Sequence, residues 1–303
     1  MKVIKARVLG FCMGVRRAVD LAVEEAGKAA KDGNPVYALG PLIHNPKVLD
    51  DLKTLGIQVI DESSFADNCP LLTVNCSLII RAHGISPVME SDLRGRGCRI
   101  VDATCPKVKA NQLKTWELIG AGYFLFLAGE KRHAEIEGLC GYAKSGNCII
   151  VGGAEEARDA AEKLFNEKKT EKTALLGQTT ISEEEYLNTG NEIKKFFPSL
   201  EIVNTICAAT GERQRALREL LPLVDAVIVA GGEDSANTRR LLAIAKEGGK
   251  PCVLAETAAG VPEEFFAFET VGISAGASTP DSVIDGIERK LEINSRRGAE
   301  TQG

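Results

Sequence analysis

The chain has 303 residues, 44% hydrophobic and 26% charged, with only 5% aromatics and a net charge of −5. This is the composition of a soluble globular protein whose cores are filled by small aliphatic side chains, and the length fits two or three domains or one large one. The acidic balance excludes a general attraction to nucleic acid or anionic membranes, and no run approaches the roughly 20 apolar residues that span a bilayer.

In chain order, short aliphatic runs alternate with amphipathic ones. KVIKARVL (2–9) predicts a strand without the apolar stretch of a signal peptide. RRAVDLAVEEAGKAA (16–30) predicts a helix, PVYAL (35–39) a strand, PKVLDDLKTLG (46–56) a helix, and CSLII (76–80) and CRIVD (98–102) strands. YFLFLAG (123–129) and CIIVGG (148–153) follow as strands, then the helical EEARDAAEKLF (155–165) and the strands TALLG (173–177) and EIVNT (201–205). DAVIVAG (225–231) predicts a strand, TRRLLAIAKEGG (238–249) a helix, and PCVLAE (251–256) and TVGIS (270–274) strands. Ser278 and Thr279 offer an N-cap for a last helix with Pro280 at its first position. Strands alternating with helices imply βαβ units and an α/β fold with mainly parallel sheets.

Three of the nine cysteines recur a third of the chain apart, each between a β-branched run and a helix-like run: Cys12 in VLGFCMGVRRAVD, Cys105 in IVDATCPKVKANQ and Cys207 in IVNTICAATGERQRALREL. A cysteine taken singly is an ordinary small core residue. Three at one point of three similar units can converge on an iron–sulfur cluster, and three thiolates in place of the usual four leave one iron open. The spacing divides the chain into α/β domains at 1–105, 106–205 and 206–282, with 283–303 as the end of the last helix and a polar tail. An odd cysteine count without an export signal disfavours a closed disulfide framework and implies reduced thiols in the cytoplasm.

Ligands of open α/β sheets bind beyond the carboxyl ends of the strands. The polar runs at those positions are GPLIHN (40–45), RAHG (81–84), GEKRHAEIEG (129–138), GQTT (177–180), GGEDSANT (231–238) and AGASTP (275–280). All three histidines of the chain, His44, His83 and His133, fall in them, as acid–base groups, metal ligands or donors to an anion. No His–x3–His or Cys–x2–Cys spacing marks a local zinc motif. HAEIEG adds Glu135 and Glu137, which diverge on a helix and share a face on a strand. A buried glutamate there would act as a general acid. Thr179, Thr180, Ser235, Asn237 and Ser278 supply hydrogen-bond donors, and the last three lie before or at the start of helical runs, where N–H groups favour anions. The same residue types are preferred helix caps without any ligand. Neither GxxxxGK[ST] nor a GxGxxG after the first strand is present, so a nucleotide cofactor has no support.

In this order GFCMGVRRAVD, GPLIHNPKV, RAHGIS, DATCPKV, HAEIEG, GQTT, NTICAATGERQ, SANTRRL and AGASTP resemble the signature of the IspH/LytB family of 4-hydroxy-3-methylbut-2-enyl diphosphate reductases, from residue 10 to about 282. The resemblance implies three α/β domains in pseudo-threefold arrangement around a central [4Fe–4S] cluster, one per chain, held by Cys12, Cys105 and Cys207. It implies that His44, His83, His133, Ser235, Asn237 and Ser278 bind the substrate diphosphate, that Glu135 delivers a proton, and that Thr179 stands near the substrate hydroxyl. It further implies the last step of the methylerythritol phosphate route to isoprenoids, with ferredoxin or flavodoxin as electron donor. One departure is visible: Ala236 stands where the family commonly has a second serine. The rival readings are a non-redox iron–sulfur dehydratase and a phosphate-ester binding protein with structural cysteines.

Overall fold

The protein is described here by a computed structural model covering residues 1–61, 76–143, 146–167, 170 and 172–300, with side chains to residue 294. Cys69 lies outside the described residues. Twelve strands form three parallel four-stranded sheets among them. Sheet B holds β2 (Val36–Leu39), β3 (Ile57–Ile60), β4 (Ser77–Ile80) and β5 (Arg99–Asp102). Sheet C holds β6 (Phe124–Ala128), β7 (Cys148–Val151), β8 (Thr173–Gly177) and β9 (Glu201–Ile202). Sheet A holds β10 (Ala226–Ala230), β11 (Cys252–Ala255), β12 (Thr270–Ala275) and β1 (Lys2–Lys5).

The strand order is the same three times: β3-β2-β4-β5, β7-β6-β8-β9 and β11-β10-β12-β1. Sheet A departs in one respect, because its fourth strand is the first of the chain, paired through Lys2↔Thr270 to Lys5↔Ile273. The amino-terminal strand thus completes the sheet of the carboxyl-terminal third. By internal packing the chain divides into two units: Met1–Arg16 with Ile43–Leu52 and Ala208–Gly303, and Arg17–Leu42 with Lys53–Cys207. Sheet A belongs to the first unit, sheets B and C to the second.

Among the described residues ten α-helices accompany the strands: α1 (Met13–Asp32), α2 (Pro46–Thr54), α3 (Pro87–Gly95), α4 (Pro106–Gly120), α5 (Ala134–Ala143), α6 (Ala154–Asn166), α7 (Glu183–Lys194), α8 (Ala208–Leu220), α9 (Ala236–Glu247) and, after the last strand, α10 (Asp281–Glu300). Parallel sheets are covered on both faces, so their inner strands read as continuous apolar runs. VYAL, SLII, TALLG and AVIVA are buried throughout. In sheet C one face packs Phe126, Ala128 and Leu175 on Ala157, Ala161 and Ile193, and the other packs Leu125, Leu127 and Leu176 on Ile136 and Leu139. Sheet A divides its core likewise: Ile228 and Ile273 face Ile284, Ile287 and Leu291, while Val227 and Val229 face Leu217 and Leu241. Each fully buried Leu or Ile contributes about 1.5–3 kcal/mol.

Two local expectations change. The edge strand β3 goes unmarked by the sequence patterning: between buried Ile57 and Ile60 it exposes Gln58 and Val59 side by side, which breaks strand alternation. Ser278 and Thr279 do not cap α10, because Ser278 Oγ donates to the His44 carbonyl (3.1 Å) and Thr279 Oγ1 to the Ala230 carbonyl (2.9 Å). The Pro280 carbonyl accepts from Val283 and Ile284 instead, so the proline sits at the helix threshold. No described helix is long and apolar enough to cross a membrane.

Candidate active site

Each of the three repeats carries a cysteine at the same point of its fold. Cys12 immediately precedes α1, Cys105 is the N-cap of α4, and Cys207 immediately precedes α8. Their backbone N–H groups bond to the Ala277, Ala82 and Thr179 carbonyls at 3.1, 2.9 and 2.9 Å. Each acceptor lies two residues beyond the third strand of its sheet, β12, β4 and β8. All three thiols are half-buried. The partial positive charge at a helix N-terminus favours an anionic ligand beside each sulfur. Thiols of one chemical type, at equivalent positions and unblocked by disulfides, suit cluster ligation.

The loops preceding the cysteines are braced by side chains that the sequence reading did not single out. Arg17 on α1 donates to the Thr104 and Asp102 carbonyls (3.1 and 3.2 Å), just before Cys105. Asn111 on α4 donates to the Thr205 carbonyl (3.2 Å), two residues before Cys207. Arg213 on α8 donates to the Gly10 carbonyl through Nε and Nη2 (3.2 and 2.6 Å), two residues before Cys12. The helix after each cysteine therefore holds the loop of another, in cyclic order. Their one sequence signal is position: Arg17, Asn111 and Arg213 stand five or six residues after Cys12, Cys105 and Cys207. The loop before Cys105 is fixed again from within, where Asp102 accepts the Thr104 N–H (3.0 Å). Burial pushes the Asp102 carboxyl up, but hydrogen bonds from Thr104 and the charge of Lys109 outweigh it and hold the carboxyl below its ordinary range.

The acceptor loops carry the candidate binding residues. His83 follows Ala82, Ser278 follows Ala277, and Thr179 is itself an acceptor. In the second unit the His83 and His133 rings meet edge to face, with centroids 5.1 Å apart. His133 caps α5, its Nδ1 accepting the Glu135 N–H at 3.2 Å. A neutral ring accepting at Nδ1 carries its proton on Nε2, so His133 offers a donor at the opposite edge.

The run AEIEG after His133 is helical, and Glu135 and Glu137 diverge: Glu135 is 1% exposed and Glu137 lies on the solvent side. The Glu135 carboxylate receives the Thr179 N–H on Oε1 (2.8 Å) and the Thr179 hydroxyl on Oε2 (2.7 Å). Burial pushes its pKa up to about 7, against the lowering effects of the two Thr179 hydrogen bonds and the nearby charge of Lys107. Lys107, anchored on the Asn204 carbonyl (3.1 Å), is another residue the sequence did not mark. Because Thr179 also accepts from the Cys207 N–H, Glu135 is two hydrogen bonds removed from a candidate cluster ligand.

In the first unit Ser235 is the N-cap of α9, accepting from the Thr238 N–H at 3.3 Å. Asn237, 3% exposed, has no partner for either amide atom among the described residues. An unpaired buried polar group costs about 1–3 kcal/mol, and here a ligand would offset that cost at a helix N-terminus suited to anions. The turn leading to α9 lies against His44: a Cβ on Gly232 would stand 3.0 Å from the His44 carbonyl, which already accepts from Ser278. Ala236 is buried, and Arg239 turns back to the Glu233 carbonyl (2.9 Å).

A cysteine at one point of each of three α/β repeats and a buried carboxylic acid poised near neutrality are the groups of an α/β enzyme. The sequence profile described as LytB protein matches residues 3–292. The 4-hydroxy-3-methylbut-2-enyl diphosphate reductases of Treponema denticola and Aquifex aeolicus are 42% and 41% identical, each covering 96% of this chain and 99% and 96% of the relative. A solved reductase described as the terminal enzyme of the non-mevalonate pathway matches with a TM-score of 0.70 and 38% identity, over 96% of this chain and 99% of the other. The diphosphate reductase of Plasmodium falciparum matches with a TM-score of 0.83 and 26% identity, over 96% and 87%. The chain belongs to the LytB family.

Proposed function

We propose that this protein reduces 4-hydroxy-3-methylbut-2-enyl diphosphate to isopentenyl and dimethylallyl diphosphate, the last step of the methylerythritol phosphate route. The observation that carries the reading is Glu135: a carboxyl buried in the first turn of α5, with a pKa of about 7, held by Thr179 at both oxygens. Overall the substrate gains two electrons and two protons and loses its hydroxyl as water.

Cys12, Cys105 and Cys207 would hold a [4Fe–4S] cluster whose fourth iron has no cysteine. When bound, the cluster supplies electrons and an open metal site for the substrate oxygen. The protein's own residues supply the rest. Protonated Glu135 gives the departing oxygen its proton, and its Oε2–H···Thr179 contact turns the threonine hydroxyl outward as a donor to that oxygen. His44, His83, His133, Ser235, Asn237 and Ser278 hold the diphosphate, which orients the allylic end for reaction. His133 donates through Nε2 in this role. The electrons come from ferredoxin or flavodoxin, and the odd number of cysteines in the chain supports reduced thiols in the cytoplasm.

The test is anaerobic turnover of the substrate by reconstituted protein, with and without a chemical reductant. Reductant-dependent formation of both products is expected; product formed without reductant would instead indicate a dehydratase. Cys105→Ser is expected to abolish both the visible absorption of the cluster near 400 nm and activity, read by iron analysis and turnover on one preparation. Ala236→Ser restores a donor at the first position of α9 and is expected to lower KM about tenfold, the value of one hydrogen bond to a charged group at ~1.5 kcal/mol. Initial-rate kinetics decide, and an unchanged KM would show the position to be indifferent.

A further inference from the structure

The first turn of α9 holds a buried hydroxyl that the proposed reaction does not use. Thr238 is 0% exposed, and its Oγ1 has no hydrogen-bond partner among the described residues. Burying a hydroxyl unpaired lowers stability, whereas a methyl group in its place would not, so stability does not account for this oxygen. The Thr238 N–H, by contrast, donates to the Ser235 side chain (3.3 Å), and Asn237 precedes it in the chain.

Thr238 Oγ1 lies against two loops of sheet A. The loop after β10 passes it at Gly231 and the loop after β12 passes it at Gly276: a Cβ on Gly231 would stand 2.8 Å from Oγ1, and a Cβ on Gly276 would overlap it. Gly231 has a φ of +140° and needs glycine for its backbone alone. Gly276 has no positive φ, so the threonine oxygen is what bars a side chain there; the next neighbours of such a Cβ, Thr238 Cβ and Thr279 Oγ1, stand at 3.3 and 3.5 Å. A β-branched side chain is stiff in a helix, which makes Oγ1 a fixed spacer. The same two loops carry the anion-binding candidates Ser235 and Asn237, beyond Gly231, and Ser278, beyond Gly276.

We propose that Thr238 is a positioning residue for the diphosphate: its oxygen sets the separation of the Ser235–Asn237 turn from the Ser278 turn, and with it the anion affinity at this end of sheet A. The inference rests on the proposed reaction, in which those three residues hold the diphosphate. An oxygen is narrower than a methyl group, so Thr238→Val keeps the shape of the side chain but pushes the Gly276 loop outward. Thr238→Ser keeps the oxygen and loses only the methyl.

The experiment titrates inorganic diphosphate into anaerobically reconstituted protein by calorimetry. Thr238→Val should bind about tenfold more weakly, the loss of one hydrogen bond to a charged group, and Thr238→Ser should bind like the parent. Gly276→Ala should weaken binding by a similar factor. Adding Thr238→Ala to it should recover most of the loss, because the oxygen that the new Cβ overlaps is gone and the Cβ takes over as spacer. In turnover the same factor should appear in KM, with kcat within about twofold of the parent. A lower melting temperature with unchanged diphosphate affinity would make Thr238 a packing residue only and overturn the proposal. Thr238→Ser binding as weakly as Thr238→Val, or a Gly276→Ala defect that Thr238→Ala does not relieve, would overturn it as well. A parent that binds no diphosphate would remove the role of Ser235, Asn237 and Ser278 and this inference with it. A parent that binds, with variants that bind equally, would remove this inference alone.

Discussion

Glu135→Gln retains substrate binding and loses about 10²–10⁴-fold in kcat, the usual contribution of a positioned general acid. The substitution is compatible with the site, because the amide oxygen still accepts the Thr179 N–H while the Thr179 hydroxyl rotates to accept from the amide nitrogen. Only the transferable proton is removed. In the parent enzyme the acid form is the active one, so kcat should fall as pH rises through about 7, and the variant's residual rate should lack that limb. The same shift acts on stability. The carboxyl is raised from 4.5 to about 7 on folding, so its contribution is present in full below pH 4.5 and is lost as pH rises through 7. The loss is on the order of 3 kcal/mol at 1.36 kcal/mol per unit. Glu135→Gln carries no such charge. It should unfold at a higher temperature than the parent at pH 8 and at a similar one near pH 5, as measured by circular dichroism on cluster-free protein. A variant with near-normal kcat would remove Glu135 from its role, and identical melting at pH 8 would show that the buried group is not strained by ionisation.

The second large effect is expected at Arg213. Its guanidinium, 3% exposed, bonds twice to the Gly10 carbonyl and once to that of Ala209 (2.8 Å). Hydrogen bonds from a charged donor contribute about 1.5–3 kcal/mol, and an orphaned buried carbonyl costs a further 1–3. Arg213→Leu fills the space but leaves Gly10 without its donors, so the loop holding Cys12 loosens while the loops of Cys105 and Cys207 keep theirs. The variant should take up markedly less iron on reconstitution. In cluster-free protein, Cys12 should alkylate faster than in the parent, with Cys105 and Cys207 unchanged. Arg213→Lys, which can restore one bond, should fall between. Parental iron content with unaltered Cys12 alkylation would show that the brace is dispensable. Uniform acceleration at all three cysteines would mean that Arg213 supports the fold at large.

The legibility of the chain follows the range of the interactions. Inner strands such as VYAL, FLFLA and AVIVA declare themselves because both faces are buried, which forces an unbroken apolar run. The edge strand IQVI does not, since exposed Gln58 and Val59 obey no period. Cys12, Cys105 and Cys207 are legible as a repeat because each is tied to a local event, the strand-to-helix junction. Glu135 and Glu137 are chemically alike in the sequence. Only the helical turn between them, and the packing of α5 on sheet C, turns one inward and the other to water.

What the sequence alone determined is therefore the alternating α/β pattern, the threefold recurrence of cysteine and the loops that carry histidine and hydroxyl groups. All are set by neighbours within a turn or a strand. The tertiary structure alone decided that β1 completes the sheet of β10 to β12, 268 residues along in the register of Lys2 with Thr270. It alone assigned Arg17, Asn111 and Arg213 to loops far away in the chain, and Thr179 to the acid of α5. Those choices rest on hydrogen bonds and burial between distant segments. Arginine, asparagine and threonine are common enough that an even spacing from a cysteine does not name the acceptor until the backbone brings donor and acceptor within hydrogen-bonding distance.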